Sequence, residues 1–443
     1  MSLVPLQDQV GKLWTALHSK AKTEPGYRFY ALYDKVYRAD VLELAYQRCR
    51  ANKGAAGVDH QTFADIEAYG AERWLRELME ELKSKTYQAG PVRRVWIPKA
   101  DGKQRPLGIP TIRDRVVQMA ANLVLEPIFE ADLAPEQHAY RPGKSALEAI
   151  KEVQGWLDAG YTEVVDADLS GYFDSIPHHE LMQCVARRIS DRHLLRLIKQ
   201  WLEAPVEETD ERGRTVRTTR NKDEGRGTPQ GGVASPLLAN LYMRRFILGW
   251  KVLGHADRLN ARIVNYADDF VICCRRGFAE EAMTVMRQMM TRLRLTVNEK
   301  KTRRCCLPEE TFTFLGYTFG RCYSWRSGRA YIGPRPAASK VRRLCRSLSE
   351  HTDRRTCLQE PLGKARKLNQ LLVGWANYFC LGSVARAYEI VTKHGRRRFR
   401  RWLCDKHGVW VGIYTRFPNE YLHQQLGLKQ LSVPTRNRLW AKE

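Results

Sequence analysis

Arg262-Ile263-Val264-Asn265-Tyr266-Ala267-Asp268-Asp269-Phe270-Val271-Ile272-Cys273-Cys274 is two apolar runs joined by a polar, acidic turn. Such a run on each side of a short turn predicts a strand, a tight turn and a second strand. Aspartate favours turns, so alone the pair Asp268-Asp269 fits an ordinary turn. A third acid changes the balance. Asp168 closes Thr162-Glu163-Val164-Val165-Asp166-Ala167, which reads as a short buried strand. Crowding or burying like charges is costly unless a cation sits among them. Magnesium takes hard oxygen ligands and often uses one or two carboxylates together with substrate phosphates.

The 443 residues carry 74 Lys+Arg against 49 Asp+Glu, a formal charge of +25. The excess is uneven. Residues 1–320 hold 48 basic and 42 acidic side chains, whereas residues 321–443 hold 26 and 7, a local net of +19. So many uncompensated charges repel one another without a polyanion, most simply nucleic acid. With 43% hydrophobic and 28% charged residues the chain can bury a real core, which excludes wholesale disorder. Length suggests two to four domains. The 11 cysteines show neither a disulfide framework nor zinc-knuckle spacing, because Cys273-Cys274 and Cys305-Cys306 are adjacent pairs. Met1 to Asp8 lacks a signal-peptide pattern, and no apolar run nears the ~18–20 residues of a membrane span. The expectation is a soluble intracellular protein in the bacterial cytoplasm or nucleoid, without a membrane partner.

Working outward, residues 1–85 read as helical, with helices over Lys35–Asn52 and Ile66–Tyr87. Residues 91–111 read as a hairpin turning at Asp101-Gly102. Helices are expected over 112–133 and 144–159, from Pro177, from Asp191, after Gly231-Gly232 and over Glu280–Leu295. The charged stretch 206–228 suggests another hairpin, and Phe312–Phe319 one strand. Beyond about 335 the chain reads as nearly all helical, which puts a boundary near 320–340.

Tyr266-Ala267-Asp268-Asp269 resembles the YADD box of reverse transcriptases. Asp168-Leu169-Ser170-Gly171-Tyr172-Phe173-Asp174 resembles the box of the first catalytic aspartate, and Gly227-Thr228-Pro229-Gln230-Gly231-Gly232 the PQG box. Lys99 to Pro110, Tyr140-Arg141-Pro142-Gly143 and Phe314-Leu315-Gly316-Tyr317 add three further matches, all in order. Over roughly residues 35–415 the chain is similar to group II intron-encoded reverse transcriptases, or maturases. The resemblance implies an α+β right-hand polymerase: fingers, a palm with an antiparallel sheet, then an all-α thumb or X domain. The expected segments are 1–85 (N-terminal extension and start of the fingers), 86–320 (fingers and palm), 321–425 (thumb/X) and 426–443 (tail).

The resemblance also implies roles. Asp168, Asp268 and the Leu169 carbonyl would hold two Mg2+ ions, with Asp269 as the third palm carboxylate. Lys99 and Arg105 would grip the triphosphate of an incoming dNTP, work that suits the planar, always-charged arginine fork. Phe173 would exclude a 2′-hydroxyl, the alternative being a core aromatic. Gln230 and Gly231 would lie against the nascent base pair, and Lys301 near the outgoing pyrophosphate. Asp166 reads as strand-associated and Asp174 as a helix-start residue. Ser170 replaces a lysine common in the family.

In the tail, Gly374-Trp375-Ala376-Asn377-Tyr378-Phe379 is the best local match to the X domain. Arg396, Arg397, Arg398, Arg400 and Arg401 are expected to form an RNA-binding face, with Trp375, Phe379, Phe399 and Trp402 in the helical core. About 28 residues follow 415 without a His/Asn/Cys pattern, which suggests a protein lacking the HNH endonuclease. The implied activity is RNA-directed DNA synthesis from a DNA primer on group II intron RNA, with help to splicing and retrohoming. A splicing-only maturase and a host-adopted polymerase in repair or defence remain alternatives at this stage, and the oligomeric state is open.

Overall fold

The computed structural model describes residues 6–98, 104–209, 214–324 and 327–432. At its centre lies the helix Ile112–Glu130, whose buried residues run from Ile112, Val116 and Val117 to Ile128 and Phe129. A helix apolar on nearly all sides must be wrapped by others. Here Leu6–Thr23 and Ala39–Ala51 pack against it. The helix expected over Lys35–Asn52 forms as Tyr33–Val36 and Ala39–Ala51, parted by the extended Arg38. The one expected over Ile66–Tyr87 is two helices, Phe63–Tyr69 and Ala71–Lys83, because Gly70 takes φ +103. Thr62 and Asp65 close a capping box on the first of them.

Asp191 ties this bundle to the helix Arg192–Glu203. Its carboxylate accepts backbone N–H bonds from Leu32 (2.9 Å), Tyr33 (2.8 Å), His193 (3.0 Å) and Leu194 (3.2 Å). Burial alone would raise its pKa, but the four donors outweigh it and hold the group below the ordinary aspartate range. The stability it contributes is therefore present at neutral pH. It is lost as pH falls below the ordinary range and through the lowered one. Asp191→Ala is expected to cost about 3 kcal/mol in urea unfolding at neutral pH, and much less in acid.

Three sheets follow. In the first, Val92–Pro98 pairs antiparallel with Gln104–Ile109 and parallel with Val206–Thr209, which continues into Thr215–Thr218. The Asp101-Gly102 turn and Lys99 lie outside the described residues. The central sheet is antiparallel, in the order Ala261–Tyr266, Asp269–Cys274, Glu163–Ala167, Arg303–Cys306. Val165, Ala167, Phe270 and Ile272 face the large N-terminal core, which includes the helices Ser235–Val252 and Ala279–Arg292. Val164, Val264, Val271 and Cys273 face the helix Ala146–Asp158 and the third sheet. Cover on both faces explains why these strands are continuous apolar runs rather than alternations.

The third sheet corrects the single strand expected over Phe312–Phe319. It is a hairpin, Phe312–Phe314 against Tyr317–Tyr323, extended by Ala330–Pro336. Leu315 (φ 49) and Gly316 (φ 84) make the turn, a left-handed pair that only glycine signals in sequence. Position 320 falls inside the strand Tyr317–Tyr323, so no break in structure occurs there. The helices Ala338–His351, Pro361–Tyr378 and Ala385–His407 then build a second core, with Phe399 and Trp402 fully buried. This region is joined to the third sheet reciprocally: Tyr317 Oη donates to the Tyr378 carbonyl (2.5 Å) and Tyr378 Oη to the Leu315 carbonyl (2.7 Å).

Candidate active site

Tyr266 pairs with Asp269, so Ala267 and Asp268 form a two-residue hairpin turn. Ala267 takes φ 58, left-handed at a residue with a Cβ, which costs about 1 kcal/mol. Asn265 compensates. Its Nδ2 donates to the Ala267 carbonyl at 2.8 Å and to the Asp269 carbonyl at 3.3 Å, fixing the turn from within.

The neighbouring strand ends at Ala167, opposite Phe270, so Asp168 emerges at the same end of the sheet as Asp268-Asp269. Its Oδ2 accepts from Asn298 Nδ2 (2.9 Å) and faces Lys301 Nζ (3.2 Å). Its backbone N–H reaches Thr302 Oγ1 (3.3 Å), and its carbonyl accepts from the Asn298 N–H (2.8 Å). Leu169 bridges Val297, flanked by bonds at Asp168 and Ser170. That pattern turns its own carbonyl the other way, to the side on which the acidic turn lies. Asn298 and Thr302 were missed in sequence, because a short polar loop after a helix carries no sign that it folds back onto an acid 130 residues earlier.

Electrostatics mark the same spot. Asp269 opens to the cleft, yet enclosure by protein and the charges of Asp268, Asp168 and Asp166 push its pKa up to about 7, against the pull of Lys301. Asp166, in the strand, rises to about 6 through burial and the nearby Asp168, opposed by Arg303. Among the described residues no three His, Cys, Asp or Glu side chains close a metal cage by themselves.

Beside the acids, Gly171 (φ 55) starts the short helix Tyr172–Ser175. It presents Phe173 half-buried, edge-on to Tyr172 at 5.7 Å, with its carbonyl accepting from the Thr228 N–H (2.8 Å). Asp174 lies within this helix, and Gln230 Nε2 approaches its Oδ2 at 3.3 Å. The Gln230 carbonyl receives the Gly108 N–H at 2.6 Å. Gly231, at φ +116, lies so close that a Cβ would come within 2.6 Å of the Gly108 carbonyl oxygen. The strand bearing the exposed Arg105 is thus stapled to the loop beside Phe173. Tyr140, at φ 56 and largely exposed, is a further site neighbour, its hydroxyl pKa raised by burial and then by Asp268.

The arginine run needs correction. Arg397 and Arg401 are exposed, but Arg400 is buried, donating to the Phe417 carbonyl (2.8 Å) and Asn419 Oδ1 (2.6 Å). Arg398 donates to Thr352 Oγ1 and to the Ser349 and Thr352 carbonyls. Residues on successive positions of a helix point around it, so one run cannot form one face.

Comparison with known proteins places the chain's two regions in known families. Residues 97–319 match the family model described as reverse transcriptase (RNA-dependent DNA polymerase), and residues 341–417 that of the group II intron, maturase-specific domain. The chain is 38% identical to Protein YkfC of Escherichia coli K12 over 54% of this chain and 61% of that one. It is 35% identical to the group II intron-encoded protein LtrA of Lactococcus lactis over 51% of this chain and 36% of that one. The matches thus span less than two thirds of these relatives' own lengths. With the polymerase pattern matched across half of its residues, the chain belongs to the reverse transcriptase family, and behind that pattern it carries a segment matching the group II intron, maturase-specific domain.

Proposed function

We propose that the chain is an RNA-directed DNA polymerase that extends a DNA primer on group II intron RNA, and that its helical region binds that RNA to assist splicing and retrohoming. The observation that carries this reading is the gathering of Asp168, Asp268 and Asp269 at one end of the central sheet. Residues 1–85, 86–320 and 321–425 are assigned to the N-terminal extension, the fingers and palm, and the thumb/X domain. Among the described residues no helix is long and apolar enough to cross a membrane.

The acidic crowd fits a divalent cation, because Asp168, Asp268 and Asp269 meet at one end of the sheet with Lys301 the only cation paired to Asp168 among the described residues, and burial first and the neighbouring carboxylates second push the pKa of Asp269 up. Asp168 and Asp268, with the Leu169 carbonyl, would hold two Mg2+ ions. When bound, these would activate the primer hydroxyl and stabilise the leaving oxygen in phosphoryl transfer. The chain's own part is positioning. Asn298 and Thr302 hold Asp168, and Asn265 holds the turn. Arg105 and Lys99 are assigned to the triphosphate, Lys301 to the departing pyrophosphate, Phe173 to the sugar, and Gln230-Gly231 to the new base pair. Positioning and charge neutralisation are most of what this chemistry requires.

Primer extension on an RNA template with Mg2+ and dNTPs tests the reading: full-length DNA product is expected, and its absence overturns it. Gly231→Ala is expected to lower kcat/KM for dNTPs about tenfold or more by pushing the Arg105 strand off the loop. Steady-state kinetics would check it, beside a thermal melt in which a modest fall is expected because alanine is strained at φ +116.

A further inference from the structure

An open groove in the helical region runs between the turn Arg354–Thr356, the helix Ala385–His407 and the short helix Ile413–Arg416. Arg354, Arg397 and Arg401 line it, with Asp353 and Asp405 as its acids. Arg354 and Arg397 are exposed, and among the described residues their side chains make no hydrogen bond or ion pair. Tyr414 lines it as well, and Trp410 stands beside the lining residue Arg401. Tyr414 is 63% exposed, with the buried guanidinium of Arg400 4.4 Å from its ring centre. Trp410 is 59% exposed, with the guanidinium of Arg401 at 5.4 Å and that arginine in turn paired to Asp405 at 3.3 Å.

Each ring therefore has a cation on one side and stands largely open to solvent. A guanidinium pinned by Phe417 and Asn419 fixes the Tyr414 ring before anything binds. Free cations beside an open, pre-positioned ring suit a phosphate joined to a flat base. In a duplex the base faces are hidden in the stack, so paired RNA could use the arginines alone. An unpaired nucleotide could use both.

We propose that this groove binds an unpaired nucleotide of RNA, with phosphates against Arg354 and Arg397 and the base stacked on Tyr414 or Trp410. The inference rests on reading the helical region as RNA-binding, and it adds the kind of RNA element recognised and three residues outside the arginine run: Arg354, Trp410 and Tyr414.

The test is fluorescence anisotropy of the full chain with two labelled hairpin RNAs, one fully paired and one carrying a single unpaired adenosine. The parent is expected to prefer the second by about tenfold, the scale of one stacked base. Trp410→Ala with Tyr414→Ala should erase the preference and leave the paired hairpin's affinity unchanged, whereas Trp410→Phe with Tyr414→Phe should retain it. Arg354→Gln with Arg397→Gln should weaken both RNAs and flatten the salt dependence by about 0.7–0.9 log units per lost phosphate contact. Equal binding of the two hairpins by the parent, or a preference that survives the alanine pair, overturns the stacking site. An unchanged salt slope in the glutamine pair removes the groove from the RNA interface. If the parent binds neither hairpin, the RNA-binding reading itself fails.

Discussion

Replacing Asp268 and Asp269 together by alanine is expected to abolish primer extension, by a factor on the order of a thousand or more, and to leave RNA affinity within about twofold. The two acids sit in a turn whose shape comes from Asn265 and from strand pairing, so the backbone should survive their loss. Folding should even improve slightly in metal-free buffer above neutral pH. Asp269, with a pKa pushed up from the ordinary aspartate value to about 7, opposes folding increasingly as pH rises between those two values, and to the full extent above 7. The groove proposed for RNA lies in the helical region, which this turn is not part of. A gel assay for cDNA beside an anisotropy assay for RNA separates the outcomes. Retained synthesis would remove the acids from catalysis, and lost RNA binding would mean the variant is misfolded.

Phe173→Val is expected to admit ribonucleotides, reducing the dNTP-over-rNTP ratio of kcat/KM by about a hundredfold, or about 2.7 kcal/mol of discrimination. The ring is half-buried against Tyr172 and held at its backbone by Thr228, on the helix that directly follows Asp168-Leu169. A side chain there can be supported by the core and still present an edge to a sugar. If it were only a core aromatic, valine would cost about 1–3 kcal/mol of stability and leave sugar choice untouched. Kinetics on matched dNTP and rNTP pairs, with a urea melt of the same variant, distinguish the two.

The parts of this molecule legible in sequence are those where local pattern and chemistry coincide. Asp168 at a strand end together with Asp268-Asp269 in a turn is costly unless a cation sits among them, and the resemblance to the PQG box marks Gln230 and Gly231, so they stand out. The strand Arg303–Cys306 did not, because two arginines and two cysteines give no periodicity, and its strand character comes from pairing with Glu163–Ala167. The hairpin within Phe312–Tyr323 was hidden by Leu315 in a conformation that sequence assigns to glycine. Asn298 and Thr302 were invisible for a different reason: they act through a partner far away in the chain. The arginine run misled because charge composition gives a sign and a magnitude but no direction, and helix geometry sends Arg400 inward while Arg397 and Arg401 point out.

The reciprocal tyrosine bonds between Tyr317 and Tyr378 have an evolutionary side. Phe379, Cys380 and Leu381, which follow the second helix of the segment matching the maturase-specific domain, are buried in the same core as Val164, Val271 and Phe319 beneath the central sheet. The polymerase and maturase halves therefore share one interior, and neither can be exchanged like a bead on a string. A chimera that imports a foreign maturase domain must also import the complement of Tyr317, or retain the native Trp375–Leu381 segment as a graft junction.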